Sequence, residues 1–248
     1  MNKNLLERIT KVLKEIDITS VLEFEETYDE QFKALKELYR DSPSKNKFCV
    51  LVTLNALISY QLSGTGEQYW REFADYFKRK NINSAVSALI KFLKESRYNR
   101  RLHKAKEQRL RKLRKIEKII TNNEKEYYSN PKKLLELLSK VLGSPKTSKT
   151  LVFTVKMFNY ACRIKYREIV ILPNDIDIPV DLRIRKITMK LNKNADPIKL
   201  WRAVSALTGI PPLHLDSLLW ITMRLIKEKK KPREVKYSKL YELLREIA

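Results

Sequence analysis

The 248-residue chain has 43% hydrophobic residues, enough for a packed core built as one large domain or two small ones. Its 52 Lys and Arg residues against 29 Asp and Glu residues leave a net charge of +23. Because the excess positive charges repel one another in a compact fold, this composition favours a nucleic-acid partner over a thermophile surface of balanced charge. Two cysteines and two histidines exclude four-cysteine zinc sites, iron–sulfur clusters and histidine-rich metal sites, and no apolar run reaches the roughly 18 residues of a membrane span, so we expect no metal, no cofactor and no membrane partner.

The first part of the chain shows one helical pattern after another. Apolar residues recur at helical spacing over residues 5–16, which predicts an N-terminal helix. Thr27 is a candidate N-cap for a second helix, and the run over residues 48–62 is apolar nearly all round, which predicts a buried central helix. Further helices are predicted around Trp70 and from residue 83 or 84 to residue 92.

The segment from Arg97 to Lys118 is strongly basic, with eleven Lys or Arg residues against Glu107 and Glu117. Its narrow apolar stripe consists of Leu102, Ala105, Leu113, Ile116 and Ile120. A charge run of this kind is either a solvated helix face or a surface that faces phosphates, and the pattern leaves both interpretations open.

A helix, a tight hairpin and a second helix are predicted over about residues 133–164. Asn130-Pro131 starts the first helix, Gly143-Ser144-Pro145 ends it, and the second runs from about Thr147 to Ile164. Backbone N–H groups at such a hairpin are unpaired and suit a phosphate. The candidate contacts to a DNA backbone are Gly143, Ser144, Lys146 and Thr147.

The rest of the chain predicts two short extended pieces, at 169–173 and 175–180, and four more helices. These helices are expected at about 182–191, 197–207, 212–227 and 237–247. The predicted fold class is therefore all-α: a single domain over residues 1–248, made of two helical subdomains with a cleft between them.

The helix after the hairpin carries two lysines on an otherwise apolar sequence. Lys149 and Lys156 are seven residues apart and nearly on one face, and Phe153 lies between them. Desolvation and a neighbouring cation both favour a neutral amine, and a neutral lysine is a nucleophile. The alternative is that Lys149 lies in an exposed first turn and Lys156 extends to solvent, and the pattern does not decide between them.

Asp181 directly precedes the periodic segment 182–191. It is a candidate N-cap, and a carboxylate at a helix N-terminus stays ionised. Such a carboxylate can also stabilise positive charge that develops on a sugar, so the two interpretations are compatible.

Four stretches of sequence resemble a known family. They are Lys149-Thr-Leu-Val-Phe-Thr-Val-Lys-Met, Ile-Pro-Val-Asp181, Tyr60-Gln61-Leu62-Ser63-Gly64 leading into Tyr69-Trp70, and Pro211-Pro212-Leu213-His214-Leu215-Asp216-Ser217-Leu218-Leu219-Trp220. Together, over about residues 28–220, they resemble the archaeal GO glycosylases, which are 8-oxoguanine DNA glycosylases and AP lyases of the helix-hairpin-helix superfamily.

The resemblance implies a role for each matching position. Lys149 is expected to attack the anomeric carbon and form a Schiff base that leads to β-elimination, with Asp181 assisting. Phe153 and Trp70 are expected to stack on the two faces of a flipped base. The remaining expected base contacts are Gln31, Lys156, Pro179, Asp216 and Trp220. The implied substrate is double- or single-stranded DNA containing 8-oxoguanine, and we expect a monomer in the cytoplasm that associates with the nucleoid when acting.

The sequence departs from many superfamily members in its hairpin, which reads Gly-Ser-Pro rather than Gly-x-Gly and leaves Lys146 as a competing nucleophile. The Thr-x-Val-Phe pattern after Lys149 favours Lys149 through the family resemblance. Two other functions stay open: a helical nucleic-acid-binding protein without enzymatic activity, which would use the basic 97–118 segment, and a glycosylase of the same fold for another damaged base.

Overall fold

The computed structural model describes residues 3–247, and within that range the regular structure is helical, without a strand. The all-α prediction is thus confirmed. The α-helices of this range are α1 (Lys3–Lys14), α2 (Ile18–Tyr28), α3 (Glu30–Asp41), α4 (Phe48–Ala56), α5 (Gly66–Phe77), α6 (Ala85–Glu95), α7 (His103–Asn122), α8 (Glu124–Ser129), α9 (Pro131–Leu142), α10 (Lys149–Tyr166), α11 (Leu182–Leu191), α12 (Pro197–Thr208), α13 (Pro212–Lys227) and α14 (Val235–Ile247). They group into two compact units, one formed by Glu30–Ile171 and the other by the residues up to Asp29 together with those from Leu172 onward.

The unit Glu30–Ile171 is built around α4 and α10. Every residue of α4 is buried, and α4 packs more extensively against α10 than any other helix pair packs in the described structure. A helix that is apolar all round has no face to offer to water, so it takes the centre of the unit. Around this pair, α3 packs on α5 and α6 packs on α7.

The other unit is centred on α13, which packs against α2 and α14, while α1 packs against α12 and α14. Its core includes Phe24, Ile187, Trp201, Leu218 and Leu240. The Trp201 indole N–H donates to Thr188 Oγ1 at 2.9 Å, so the polar atom of this buried ring is satisfied.

Helix ends that carry local signals lie where the sequence predicts them. The predicted bounds 182–191 and 212–227 are those of α11 and α13. Asp181 caps α11 through its side chain, and proline occupies the first turn of α13. Gly143 ends α9 with φ of 61°, a left-handed conformation that glycine adopts without the steric cost of a Cβ atom.

Three local predictions are wrong. Thr27 does not start a helix, because Asp17 caps α2 and Thr27 lies in its last turn. The helix predicted over 48–62 ends at Ala56, and the chain then turns through Gln61 with φ of 46°. The apolar stripe of the basic segment excludes Leu102, which is exposed, and Ala105; Leu110 belongs to it instead.

Cys49 on α4 and Cys162 on α10 are buried and free, with their Sγ atoms 3.7 Å apart. Burial raises the pKa of the Cys162 thiol, which keeps it protonated and unreactive. Among the described residues, no helix combines the length and the apolar character needed to cross a membrane.

Candidate active site

Trp70 and Phe153 lie side by side in the unit Glu30–Ile171. A capping box starts α5: Thr65 Oγ1 accepts from the Gln68 N–H at 3.2 Å, and the Thr65 N–H donates to Gln68 Oε1 at 2.9 Å. This start places Trp70 in the second turn of α5, where it is buried. Its ring centroid is 6.4 Å from that of the half-buried Phe153 on α10, and the ring planes are inclined by 63°. Helices α5 and α10 thus bring together the two residues that are predicted to stack on the base.

The hairpin between α9 and α10 is held by hydrogen bonds within the turn and to Ser139 near the end of α9. The Ser144 N–H donates to Ser139 O at 3.2 Å, Ser139 Oγ donates to Ser144 O at 2.6 Å, and the Ser148 N–H donates to Pro145 O at 2.8 Å. Ser148, at the N-cap of α10, makes no side-chain capping bond, and Gly143 is exposed. The hairpin therefore presents an uncapped helix N-terminus, with its partial positive charge, at an exposed turn.

Lys149 and Lys156 lie in different environments. Lys149 is the first residue of α10 and is exposed, so the interpretation of Lys149 as a buried amine is wrong and the alternative, an exposed first turn, is confirmed. Lys156 is 2% exposed, so it does not extend to solvent, and its Nζ lies 5.8 Å from the Tyr160 ring centroid. Lys146, the competing nucleophile, pairs with Glu136 at 2.6 Å.

Asp181 occupies an ordered position at the start of α11. Its Oδ1 accepts from the Ile184 N–H at 2.9 Å, which is the helix-capping bond. Its own N–H donates to the carbonyl of the buried Pro179 at 2.9 Å. Asp177, nearby in the chain, accepts two hydrogen bonds from Arg202 at 2.5 and 2.8 Å, and these bonds fix the segment that leads into Asp181.

Asp216 and Trp220 are one turn apart on α13. Asp216 is buried, and Trp220 is half-buried. The guanidinium carbon of Arg183 on α11 lies 3.2 Å from the Trp220 ring centroid, which is a close cation–π contact. One face of Trp220 is thus covered by an arginine.

Comparison with known proteins shows the family to which this chain belongs. The AGOG family, described as N-glycosylase/DNA lyase, matches residues 10–247. The chain belongs to this family. It is 44% identical over 222 residues to an N-glycosylase/DNA lyase of Thermococcus kodakarensis, covering 88% of this chain and 84% of that protein. A second N-glycosylase/DNA lyase, from Methanococcus maripaludis, is 40% identical over 221 residues, with 87% of each chain covered.

A solved structure of the AGOG family has the same fold. It is the 8-oxoguanine DNA glycosylase Pa-AGOG of Pyrobaculum aerophilum, complexed with 8-oxoguanosine. The TM-score is 0.83 at 29% sequence identity, with 98% of this chain and 96% of that chain covered. The family resemblance read from the four sequence stretches is therefore confirmed.

In this AGOG chain the predicted site residues fall in both units. Gln31, Trp70, Lys149, Phe153, Lys156 and the hairpin residues lie in the unit Glu30–Ile171, and Pro179, Asp181, Asp216 and Trp220 lie in the other. Trp70 and Phe153 are in contact, whereas Lys149 and Phe153 are related by one turn of α10. Gln31, one of the expected base contacts, is buried on α3 beside Phe32.

The sequence reasoning missed Arg183 and the pair His214–Glu25. His214 Nδ1 lies 2.9 Å from Glu25 Oε1, and its Nε2 accepts from the Leu172 N–H at 3.3 Å. Because Nε2 accepts, the proton is on Nδ1, and His214 is a neutral donor to Glu25. His214 lies inside the quoted Pro211–Trp220 stretch, but no local pattern pairs it with a glutamate 189 residues away.

Proposed function

We propose that this AGOG-family chain is a bifunctional DNA glycosylase and AP lyase that excises 8-oxoguanine from DNA. The observation that carries the proposal is the fold shared, over 98% of the chain, with a relative whose structure holds 8-oxoguanosine. A net charge of +23 suits a DNA partner. We further propose that residues 1–248 form one glycosylase domain, acting as a monomer on double- and single-stranded DNA in the cytoplasm and at the nucleoid.

Trp70 and Phe153 are assigned to the two faces of the extruded base. Extrusion costs a few kcal/mol of unstacking, and each aromatic face offsets about 1–3 kcal/mol. A base between two faces needs nearly parallel rings, whereas these are inclined by 63°. Because Trp70 is buried and Phe153 is half-buried, Phe153 is the ring that turns when the base enters.

Recognition of the base edge is assigned to the polar residues of the predicted site. 8-Oxoguanine differs from guanine by a C8 carbonyl and an N7 proton, so discrimination needs an acceptor for the N7–H. A side-chain amide, such as that of the buried Gln31, or a backbone carbonyl supplies one. The other residues proposed to contact the base are Lys156, Pro179, Asp216 and Trp220.

Lys149 is assigned as the nucleophile. Once deprotonated, its amine attacks C1′, and the bond from C1′ to the base breaks with its electron pair leaving on the base, which takes up a proton. The amine on C1′ then opens the sugar ring to a Schiff base, and loss of a C2′ proton eliminates the 3′ phosphate. Two observations favour Lys149 over Lys146: it lies one turn before Phe153 on α10, and Lys146 is paired with Glu136.

Asp181 is assigned as the carboxylate that stabilises positive charge on the sugar as the base leaves. The Ile184 N–H holds this carboxyl group at the N-terminus of α11. A fixed negative charge aimed at a developing positive charge needs no reorganisation during the reaction.

The hairpin residues Gly143, Ser144, Lys146 and Thr147 are assigned to the DNA backbone. The uncapped N-terminus of α10 supplies N–H donors and a positive dipole end, which suit a phosphate and carry no sequence information. The hairpin element spans about residues 133–164.

Borohydride trapping tests the proposal. Borohydride reduces a Schiff base to a stable amine, so the wild-type protein should become covalently linked to a duplex containing 8-oxoguanine. Lys149→Gln should abolish the link, whereas the control Lys146→Gln should retain it. Trapping of the Lys149→Gln variant would reassign the nucleophile. Salt-sensitive binding of the wild-type protein without base release or strand cleavage would show a binding protein and contradict the proposed enzyme.

A further inference from the structure

We propose that the outer face of α7 is a second docking surface for the sugar–phosphate backbone of duplex DNA, formed by residues distinct from the hairpin. This face is defined here by Lys104, Lys112, Arg114, Lys115 and Lys118, all of which are exposed. The proposal deepens the proposed DNA-directed function and rests on it.

One side of α7 is buried against neighbouring helices. Leu110, Leu113, Ile116 and Ile120 are buried, and the helix packs against α4, α6 and α9. Glu117 also points inward, where its carboxylate accepts from the Ala85 N–H at 2.8 Å and from Ser84 Oγ at 2.9 Å at the start of α6. The orientation of α7 is therefore fixed by packing, and its basic side faces outward as a consequence.

The basic side of α7 is not neutralised by the protein. Its outward carboxylate, Glu107, is engaged by Arg111 at 2.5 Å. Among the described residues, no carboxylate lies within ion-pair distance of the five cations that define the face. By contrast, several lysines at the surface elsewhere have carboxylate partners. These are Lys78 with Asp75, Lys133 with Glu126, Lys231 with Glu242, and Lys239 with Glu15.

The spacing of the cations matches a polyanion. Lys104, Lys115 and Lys118 lie near one line along the helix, since the steps between them, of eleven and three residues, are sums of steps of three and four. From Lys104 to Lys118 the line is about 21 Å long at 1.5 Å per residue. Along the axis of a B-form duplex, where each strand carries a phosphate about every 3.4 Å, that length covers about six phosphates of one strand. Like charges at these spacings destabilise a helix by themselves, so an external anion is the stabilising partner.

The same face does not suit a protein partner. Protein interfaces have an apolar core with a polar rim, whereas the one large apolar side chain exposed along this part of α7, among the described residues, is Ile119. A row of unpaired cations without an apolar centre fits a phosphate backbone instead.

The test measures how salt weakens the binding of undamaged duplex DNA. Each phosphate contact contributes about 0.9 to the slope of log Kobs against log salt concentration. The variant Lys104→Gln/Lys112→Gln/Lys115→Gln/Lys118→Gln should reduce this slope by about 2 to 4. The corresponding four-fold Lys→Arg variant should keep the wild-type slope. Glutamine and arginine are both good helix formers, and circular dichroism verifies that α7 folds in both variants.

A matched control removes the same net charge from lysines that already have carboxylate partners. This control combines Lys→Gln at Lys78, Lys133, Lys231 and Lys239, and its slope should change by less than about 1. An unchanged slope in the α7 variant, or an equal loss in the control, would overturn the proposal. A loss of affinity for RNA alone would make RNA the partner and would also overturn it. Because undamaged DNA is used, failure to excise 8-oxoguanine would contradict the proposed function without affecting this result.

Discussion

The rings of Trp70 and Phe153 meet at 6.4 Å with planes inclined by 63°, which is an edge-to-face contact and not a parallel slot. The buried Trp70 is additionally held by Phe73, whose ring centroid is 5.4 Å away. One ring of the pair is therefore fixed by the core, and the other stands at the surface of α10. We therefore expect Trp70 to contribute to both stability and excision, and Phe153 to contribute mainly to excision.

Phe153→Ala should impair excision more than folding. Loss of one stacked face removes about 1–3 kcal/mol of base binding, so kcat/KM for an 8-oxoguanine duplex should fall roughly 5- to 150-fold in single-turnover assays. The control Phe158→Leu, on the buried side of the same helix, should lower the free energy of unfolding by about 1–2 kcal/mol and leave excision unchanged. Equal excision by Phe153→Ala and wild type would rule out the stacking role.

Two substitutions at Asp181 should separate its cap from its charge. Asparagine caps a helix as well as aspartate does, so the free energy of unfolding of Asp181→Asn should lie within about 0.5 kcal/mol of the wild-type value. It should nonetheless lose excision by two to three orders of magnitude, because the charge is gone. Asp181→Ala should show the same loss of excision, and its free energy of unfolding should be about 1 kcal/mol lower than that of the wild type. An active Asp181→Asn enzyme would leave Asp181 only its capping role. Denaturant titration and single-turnover excision measure the two effects.

His214 should be a strong local determinant of stability. Its neutral ring joins α2, α13 and the segment that begins at Leu172, so His214→Leu leaves a buried carboxylate and a backbone N–H without this partner. The free energy of unfolding should fall by about 2–4 kcal/mol. A double-mutant cycle with Glu25→Gln should show coupling of at least about 1 kcal/mol. His103→Leu, at the start of α7, should change stability by less than about 0.5 kcal/mol, and additive effects of His214 and Glu25 would contradict the pairing.

Lys106 should make stability rise with pH in alkaline solution. It is buried, donates to Asn99 Oδ1 and lies 4.8 Å from the Tyr60 ring centroid, and burial lowers its pKa from 10.5 to about 8. Between about pH 8 and 10.5 the unfolded chain binds this proton and the folded protein does not, so raising the pH favours folding by at most about 1.4 kcal/mol per unit. Below about pH 8 both states are protonated, and this dependence vanishes.

The comparison variant for Lys106 is Lys106→Met, which keeps the length of the side chain and cannot titrate. From about pH 8 to 10.5 the free energy of unfolding of the wild type should rise relative to that of Lys106→Met. The contributions of the other titrating groups are the same in both proteins and cancel in the difference. A constant difference across that range would contradict the lowered pKa.

The hairpin shows how much of a site local signals can predict. Asn130-Pro131 and Gly143 mark the bounds of α9, and Asp181 marks the start of α11, because caps and left-handed residues act within a few positions of the chain. The helix predicted over 48–62 is too long because an apolar composition indicates burial but does not specify where a helix ends. The end at Ala56 is a property of the turn that follows.

The sequence by itself determined the helical class, the family, and the identity of the residues proposed to act, since periodicity, capping and the four matching stretches are local. Tertiary packing decided which of those residues are exposed: it places Lys149 at an open first turn and buries Lys156, although both lie on one helix. It also decided the contacts of Arg183 with Trp220 and of His214 with Glu25. Contacts between residues distant in the chain depend on how helices pack, and no spacing within a single helix encodes them.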